Sequence, residues 1–272
     1  MNPPSRVFGI DFSGAADASR RIWITRAAVE GGALTIGDCF RADRLPGSAR
    51  DRDRCLAALR SFIESQPFPA AFGLDFPFGS PRVLVREANR DAFALSFAAR
   101  FGDCDNFRHS CRAAAGGREL QRVTGRESHT PFSPYNLRLF RQPCFGIRSV
   151  LAPLVRDGLV SVVPMQRPAA DRPWLLEICP ASTLKARNLY DLSYKGKTAD
   201  HLNARAHILK CLENMGVAHL SDGEVRTRLL EDAGGDALDS VIAAFAVFSA
   251  RRHPGGLGPK REEHAIEGCV YF

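Results

Sequence analysis

The chain has 272 residues, of which 45% are hydrophobic and 25% are charged, a composition typical of a globular protein with a substantial core. No apolar run approaches the roughly 18 residues that cross a bilayer, and the N-terminal residues lack the apolar segment of a signal peptide, so a cytoplasmic location without membrane contact is expected. The net charge of +7 does not by itself establish a nucleic-acid partner.

The first predicted strand ends in a carboxylate. Residues 7–14 are Val-Phe-Gly-Ile-Asp-Phe-Ser-Gly, so a short apolar run reaches Asp11 and is followed by a turn. Residues 70–78 repeat this pattern with Asp75, and residues 174–180 repeat it with Glu177. Turn capping explains a single Asp at such a position. Three acids at the ends of three strands instead indicate a ligand site, because ligands bind at this edge of an α/β sheet.

The segments between the first two acids predict an antiparallel meander followed by a helix. Residues 21–29 and 33–40 are β-rich runs separated by Glu-Gly-Gly, which is typical of a hairpin. Residues 50–66 have apolar side chains at helical spacing and end before a Pro-Phe-Pro sequence. The order of strand, hairpin, helix and strand predicts a mixed sheet.

The next segment, residues 79–165, is predicted to be an insertion over one edge of the sheet, within a single domain that spans residues 1–272. Residues 102–135 are rich in Gly, Arg, Ser and Pro and show no steady period, and long polar loops of this kind are often functional. The elements expected around this loop are helices at 83–99 and 139–155 and a short strand at 159–163.

The C-terminal third predicts further helices. After the strand that carries Glu177, a helix is expected from about Ala181, then a basic loop, Tyr-Lys-Gly-Lys, at residues 194–197. A periodic helix over 200–214 is predicted to bury one apolar face formed by Leu202, Ala206, Leu209 and Leu212. In residues 234–245, Asp236 and Asp239 share a helix face, although capping and the helix dipole also explain acids at a helix start.

The eight cysteines show no C-x-x-C spacing. We predict that they are reduced, mostly core residues and that they form no zinc site.

Four short acidic motifs together resemble the domain of unknown function 429 family, whose members are predicted nucleases of the ribonuclease H-like superfamily. The motifs are Gly9-Ile-Asp11-Phe-Ser, Gly73-Leu-Asp75-Phe-Pro, Glu177-Ile-Cys-Pro180 and Asp236-Ala-Leu-Asp239. The last motif is also similar to the C-terminal acidic helix of Holliday-junction resolvases. Family members commonly carry two adjacent acids at the start of this helix, whereas here Gly235 precedes Asp236. The resemblance implies a ribonuclease H-like α/β fold, with an antiparallel meander plus parallel strands, helices on both faces and a loop and helix insertion.

The resemblance also implies a metal-dependent nuclease. Asp11 would bridge two Mg²⁺ or Mn²⁺ ions, and Asp75 and Asp239 would hold one ion each, with Glu177 and Asp236 as auxiliary catalytic residues. A ligand set of carboxylates without His or Cys suits Mg²⁺, which prefers hard oxygen ligands. The alternative from the residues themselves is that the acids only stabilise the fold.

Basic residues predict where nucleic acid would bind. Residues 107–148 contain eight Arg and two acids, a balance of 8 − 2 = +6, which would attract a phosphate backbone. The residues predicted to bind substrate are Arg118, Arg122, Arg126, Lys195 and Lys197. Four aromatic residues in this segment could stack on unpaired bases or belong to the local core: Phe107, Phe132, Tyr135 and Phe140.

Two other functions stay open at the level of sequence. An ATP-binding phosphotransferase of the actin and sugar-kinase type is one, because residues 11–14 and 234–236 would suit phosphate and nucleotide contacts. The other is a nucleic-acid-binding protein without catalytic activity. The sequence does not distinguish DNA from RNA, endonuclease from exonuclease, or monomer from oligomer.

Overall fold

The computed structural model describes residues 3–220, 223–252 and 254–272. Its strands are β1 (Arg6–Asp11), β2 (Trp23–Glu30), β3 (Ala33–Arg41), β4 (Ala70–Leu74), β5 (Ser161–Val163), β6 (Trp174–Ile178), β7 (Val217–Leu220) and β8 (Val270–Tyr271). Its α-helices are α1 (Arg52–Glu64), α2 (Arg90–Phe101), α3 (Cys104–Ala114), α4 (Val123–Glu127), α5 (Arg141–Phe145), α6 (Ala152–Arg156), α7 (Pro180–Lys185), α8 (Ala199–Asn214), α9 (Gly223–Glu231), α10 (Asp236–Arg251) and α11 (His264–Glu267). A π-helical segment, Gly146–Leu151, joins α5 to α6. Short 3-10 helices lie at Ala18–Arg20, Ala42–Arg44, Arg82–Leu84 and Pro254–Leu257.

These strands form one mixed sheet in the order β5-β6-β4-β1-β2-β3-β7, with β8 also paired to β6. β2 runs antiparallel to both β1 and β3, whereas the other pairs are parallel. The predicted meander, first helix and acid-bearing strands are therefore confirmed. β7 was not predicted from the sequence. The sheet order and the helices on both faces give the ribonuclease H-like α/β fold that the sequence resemblance implied.

Helices cover both faces of the sheet because the central strands have apolar side chains pointing to each face. On one face, Phe8 of β1 stacks on Phe72 of β4 with ring centroids 4.5 Å apart. Phe62 of α1 meets the edge of the Phe8 ring at 5.5 Å. On the other face, Val7 and Ala71 join the core formed with α7, α8, α9 and α10. Fully buried apolar and aromatic side chains on both faces make this sheet the centre of the core.

The segment 79–165 does more than cover an edge of the sheet. Its helices α2, α3, α5 and α6 contribute buried residues to the same core as α1, and its strand β5 pairs with β6 at the end of the sheet. The segment therefore supplies much of one helical layer.

The expected irregular loop at 102–135 contains α3 and α4, which corrects the prediction. In α3, only Cys104, Phe107 and Cys111 are buried, so a narrow apolar stripe lies within a strongly polar sequence. Asp103 accepts a hydrogen bond from the backbone N–H of Asn106 and caps the helix. The three buried residues of this 11-residue helix gave too weak a period to reveal it from the sequence.

Two further predictions are corrected. Cys104 and Cys144 form a disulfide with their Cα atoms 5.6 Å apart. They are 40 residues apart in sequence, and the packing of α3 beside α5 brings them together. In α8, Leu202 is 41% exposed, and the buried residues of that helix are Arg205, Ile208, Leu209 and Leu212.

Within the described residues, no single helix is long and apolar enough to cross a membrane. α9 and α10 pass this test only as a pair, bent by 117°.

Candidate functional site

Asp11 and Asp75 lie at the same edge of the sheet, at the ends of two neighbouring parallel strands. β1 and β4 pair in register with Ile10 beside Leu74, and the backbone N–H of Asp75 donates to the carbonyl of Ile10 at 3.0 Å. This confirms that the two carboxylates follow adjacent parallel strands.

Two glycines let α10 approach this edge closely. A Cβ atom on Gly9 would lie 1.9 Å from the carbonyl oxygen of Ser240, and one on Gly73 would lie 2.8 Å from that of Ala243. These distances are far shorter than van der Waals contact, so only glycine fits at either position. Each glycine lies two residues before an acid. Close packing of α10 on β1 and β4 therefore brings the first turn of α10 towards Asp11 and Asp75.

The start of α10 supplies the other two acids. Asp236 is its first residue and Asp239 lies in its first turn, where it is buried. The cap is not Asp236: the carboxylate of Asp232 accepts the backbone N–H of Ala237 at 2.9 Å. Gly235 has φ +74°, a conformation that glycine adopts readily. Asp232 therefore accepts one of the free N–H groups of the helix start, whereas the carboxylates of Asp236 and Asp239 contact Lys195 and Tyr194.

A loop between α7 and α8 places two side chains on Asp239. The hydroxyl of Tyr194 donates to Asp239 Oδ1 at 2.6 Å, and Lys195 Nζ lies 2.6 Å from Asp239 Oδ2. Lys195 also lies 3.5 Å from Asp236 Oδ1. The buried guanidinium of Arg205 donates to the carbonyl of Tyr194 at 2.6 Å and to that of Gly196 at 3.0 Å. Arg205 thus fixes this loop to α8.

Burial and neighbouring acids raise the pKa values of Asp11 and Asp75. Burial, followed by the charges of Asp239 and Asp75, raises the pKa of Asp11 well above its ordinary value. Burial and then the charge of Asp239 raise the pKa of Asp75 to about 8. Burial acts to lower the pKa of Lys195, but the charge of Asp239 outweighs it and raises that pKa above its ordinary value. The cluster therefore carries repulsion that a cation relieves.

Glu177, by contrast, is engaged in a buried ion pair. It lies within β6, and both of its carboxylate oxygens accept hydrogen bonds from the guanidinium of Arg122. The backbone N–H of Phe78 also donates to Glu177 Oε2 at 2.9 Å. Arg122 is 4% exposed. This placement corrects two predictions. Arg122 was expected to bind substrate, but its charge is not presented at the surface. Glu177 was expected to assist catalysis, but its carboxylate is paired with Arg122.

The other predicted substrate-binding residues lie at the surface. Arg118, Arg126 and Lys197 are exposed, and Arg118 and Arg126 line a pocket of about 700 Å³ with Arg82. Among the aromatic residues of the basic segment, Phe132 is exposed, whereas Phe107, Tyr135 and Phe140 are buried. These three rings belong to the core, so they offer no stacking surface.

Gln142, like Tyr194, contacts the site although the sequence did not predict a role for it. The side-chain amide of Gln142, on α5, donates to the carbonyl of Phe12 at 2.8 Å and to that of Asp75 at 2.6 Å. A single Nε2 atom thus joins the chain segments that follow β1 and β4. A lone Gln in a short helix carries no sequence signal for such a contact.

A pocket of about 560 Å³ opens beside the acids and is lined by Asp75, Asp239, Tyr194, Lys195 and Tyr190, among others. Among the described residues, no three His, Cys, Asp or Glu side chains already converge as metal ligands. The chemistry of the donors nevertheless suits Mg²⁺ or Mn²⁺, because carboxylates are the hard oxygen ligands that these ions prefer. The raised pKa values also show that a positive charge here would stabilise the ionised carboxylates.

The fold and this site define an α/β protein of ribonuclease H-like architecture with an acidic cluster at the carboxyl edge of its sheet. The model of the family described as "Protein of unknown function (DUF429)" matches residues 9–263, and the chain belongs to that family. Neither the curated proteins nor the solved structures contain a match to this chain.

Proposed function

We propose that this protein is a metal-dependent nuclease that hydrolyses phosphodiester bonds of nucleic acid. The observation that carries the proposal is the placement of Asp11, Asp75 and Asp239 from three elements at one edge, with the pKa values of Asp11 and Asp75 raised by burial and by neighbouring acids. Neighbouring carboxylates repel one another, and a bound divalent cation would remove this repulsion.

In this proposal Asp11, Asp75 and Asp239 would hold Mg²⁺ or Mn²⁺, with Asp236 assisting. When bound, such ions lower the pKa of a water molecule and stabilise the leaving oxygen of a phosphodiester. Tyr194 orients Asp239 by donating to its Oδ1. Gln142 fixes the backbone beside Asp75.

Lys195 has two roles in the proposal. Without metal, its ammonium neutralises Asp239 and reaches Asp236. Its side chain is half exposed, so it can turn towards a substrate phosphate once a metal ion balances the acids. Lys197, Arg118 and Arg126 are exposed and extend the positive surface for the nucleic-acid backbone. We place this activity in the cytoplasm.

The direct test is cleavage of labelled DNA and RNA oligonucleotides with Mg²⁺, with Mn²⁺ and in excess chelator. Wild type should cleave only with metal. Asp11→Asn should reduce the rate at least about 100-fold, because even residues that only support a metal ligand contribute 10- to 100-fold. Asp53→Asn is the matched control, since Asp53 is an exposed acid on α1 and its loss should change nothing.

Three results would contradict the proposal: cleavage in excess chelator, an active Asp11→Asn protein, or no cleavage of any substrate with either metal. Metal-dependent turnover of ATP in place of oligonucleotides would favour the phosphotransferase alternative.

A further inference from the structure

We propose that the pocket beside Asp75 and Asp239 receives one unpaired nucleotide whose base stacks on Tyr190, so that the substrate class is single-stranded nucleic acid or an unpaired segment of a duplex. This inference rests on the proposed nuclease function and names the substrate of the same site.

The pocket lies beside the proposed metal-binding acids. It contains two of the proposed metal-binding acids, Asp75 and Asp239, together with Lys195. A nucleotide in it would therefore have its phosphate beside the acids and the ammonium. The volume of about 560 Å³ falls within the roughly 300–1,000 Å³ typical of pockets for small molecules. A single nucleotide is a ligand of that class, whereas a stacked and paired duplex is not.

Tyr190 is exposed on the wall of this pocket. The chain has four tyrosines, and Tyr135, Tyr194 and Tyr271 are all buried. Tyr190 is 44% exposed and lines this pocket. An aromatic ring on a pocket wall is the surface on which single-stranded nucleic-acid binders stack bases, and stacking is possible for every base.

The ring of Tyr190 has a positively charged neighbour, Lys185, that is held in place by a hydrogen bond. Lys185 Nζ lies 4.6 Å from the ring centroid and donates to the backbone carbonyl of His129 at 2.6 Å. The ammonium therefore restrains the ring and adds positive charge near the pocket. Lys185 and Lys195 together add positive charge that attracts the phosphates of a nucleic acid to this region.

A base within a duplex fits this site less well than an unpaired base. Inside a duplex a base must be extruded before it can enter a pocket, and unstacking and unpairing oppose binding. The part of the structure described here offers one exposed aromatic residue, Tyr190, on the pocket wall to compensate. One stacking contact changes affinity by about 5- to 150-fold, which favours a base that is already unpaired.

The test compares binding of single-stranded and duplex oligonucleotides, as DNA and as RNA, by fluorescence anisotropy at fixed salt with Ca²⁺ in place of Mg²⁺. Tyr190→Ala should weaken single-strand binding about 5- to 150-fold, and it should weaken duplex binding less. Tyr190→Phe keeps the ring and should bind as wild type does. Phe68→Ala is the matched control, because Phe68 is also 44% exposed but precedes β4, at the opposite end of that strand from Asp75.

The inference is overturned if Tyr190→Ala binds single strands as tightly as wild type, if it loses equal affinity for both forms, or if wild type binds neither form. Cleavage with Mg²⁺, measured in parallel, separates the two proposals. A wild type that cleaves while Tyr190→Ala keeps full single-strand affinity refutes the stacking site alone. A wild type that binds through Tyr190 but never cleaves refutes the nuclease and leaves the single-strand site in place.

Discussion

Replacing Gly9 with alanine tests how the fold builds the acidic site. The added Cβ would lie 1.9 Å from the carbonyl oxygen of Ser240 and 2.4 Å from the backbone nitrogen of Ala244. Both atoms belong to the backbone of α10, so no side-chain rotation relieves the clash. Ordinary contact begins at 3.4 Å, and α10 would have to retreat by about 3.4 − 1.9 = 1.5 Å.

Such a retreat should affect both stability and activity. Overpacking a core typically costs about 1–3 kcal/mol, and we expect the upper end because α10 is buried from Ala237 to Phe248. In a protein of this size about 3 kcal/mol lowers Tm by roughly 6–12 °C. A displacement of about 1 Å in a catalytic group costs on the order of 100-fold in rate, so the proposed cleavage should fall by that factor at temperatures where Gly9→Ala is folded.

The assay is urea unfolding followed by circular dichroism, combined with the cleavage assay. Gly37→Ala is the matched control, because a Cβ on Gly37 of β3 would lie 3.6 Å from the carbonyl of Arg26, an ordinary contact. That variant should stay within about 0.5 kcal/mol of wild type. The reasoning is refuted if Gly9→Ala is as stable as Gly37→Ala.

The remaining predictions concern charged residues. The pKa of Asp75 is raised to about 8 from 3.8, so the folded protein binds the proton of this carboxyl more tightly than the unfolded chain does. The contribution of Asp75 to the free energy of unfolding is therefore complete below about pH 4 and is lost as pH rises towards 8. Asp75→Asn should therefore raise Tm in chelator at pH 8 but not at pH 4 by scanning calorimetry, and an unchanged Tm at pH 8 would contradict this. Arg122→Met should lower the free energy of unfolding by about 3–5 kcal/mol because it leaves Glu177 buried and unpaired, and adding Glu177→Leu should restore most of it. If the double variant is no more stable than Arg122→Met in urea, the ion-pair interpretation is wrong. Replacing Arg118 and Arg126 with Ala should reduce the slope of log K against log salt on duplex DNA by about 0.9 for each phosphate that the protein no longer neutralises, and an unchanged slope would exclude the insertion as a binding surface.

The sequence predicted those features that depend on local pattern. Apolar runs ending in Asp11 and Asp75, and the hairpin between them, are set by residues near one another in the chain. α10 was recognisable because nearly all of it is apolar or small and two acids begin it. The parallel pairing of β1 with β4 followed from the order of the elements.

The sequence could not predict contacts between distant segments. Arg122 is 55 residues from Glu177, and the disulfide closes a separation of 40 residues. A buried acid needs a partner or a metal, and sequence alone did not show which applied to Glu177. Arg205 illustrates the same limit: it occupies the buried face of α8 because its guanidinium reaches the carbonyl of Leu230 in α9 and that of Tyr194 in the loop before α8.

Diffraction from crystals soaked in Mn²⁺, collected for anomalous scattering, tests the central claim most directly. The account predicts anomalous peaks in contact with the carboxylates of Asp11, Asp75 and Asp239, with Lys195 moved away from Asp239 Oδ2, and disappearance of these peaks in Asp11→Asn. Saturating Mn²⁺ that leaves no peak at these acids, with Lys195 still paired to Asp239, would contradict it.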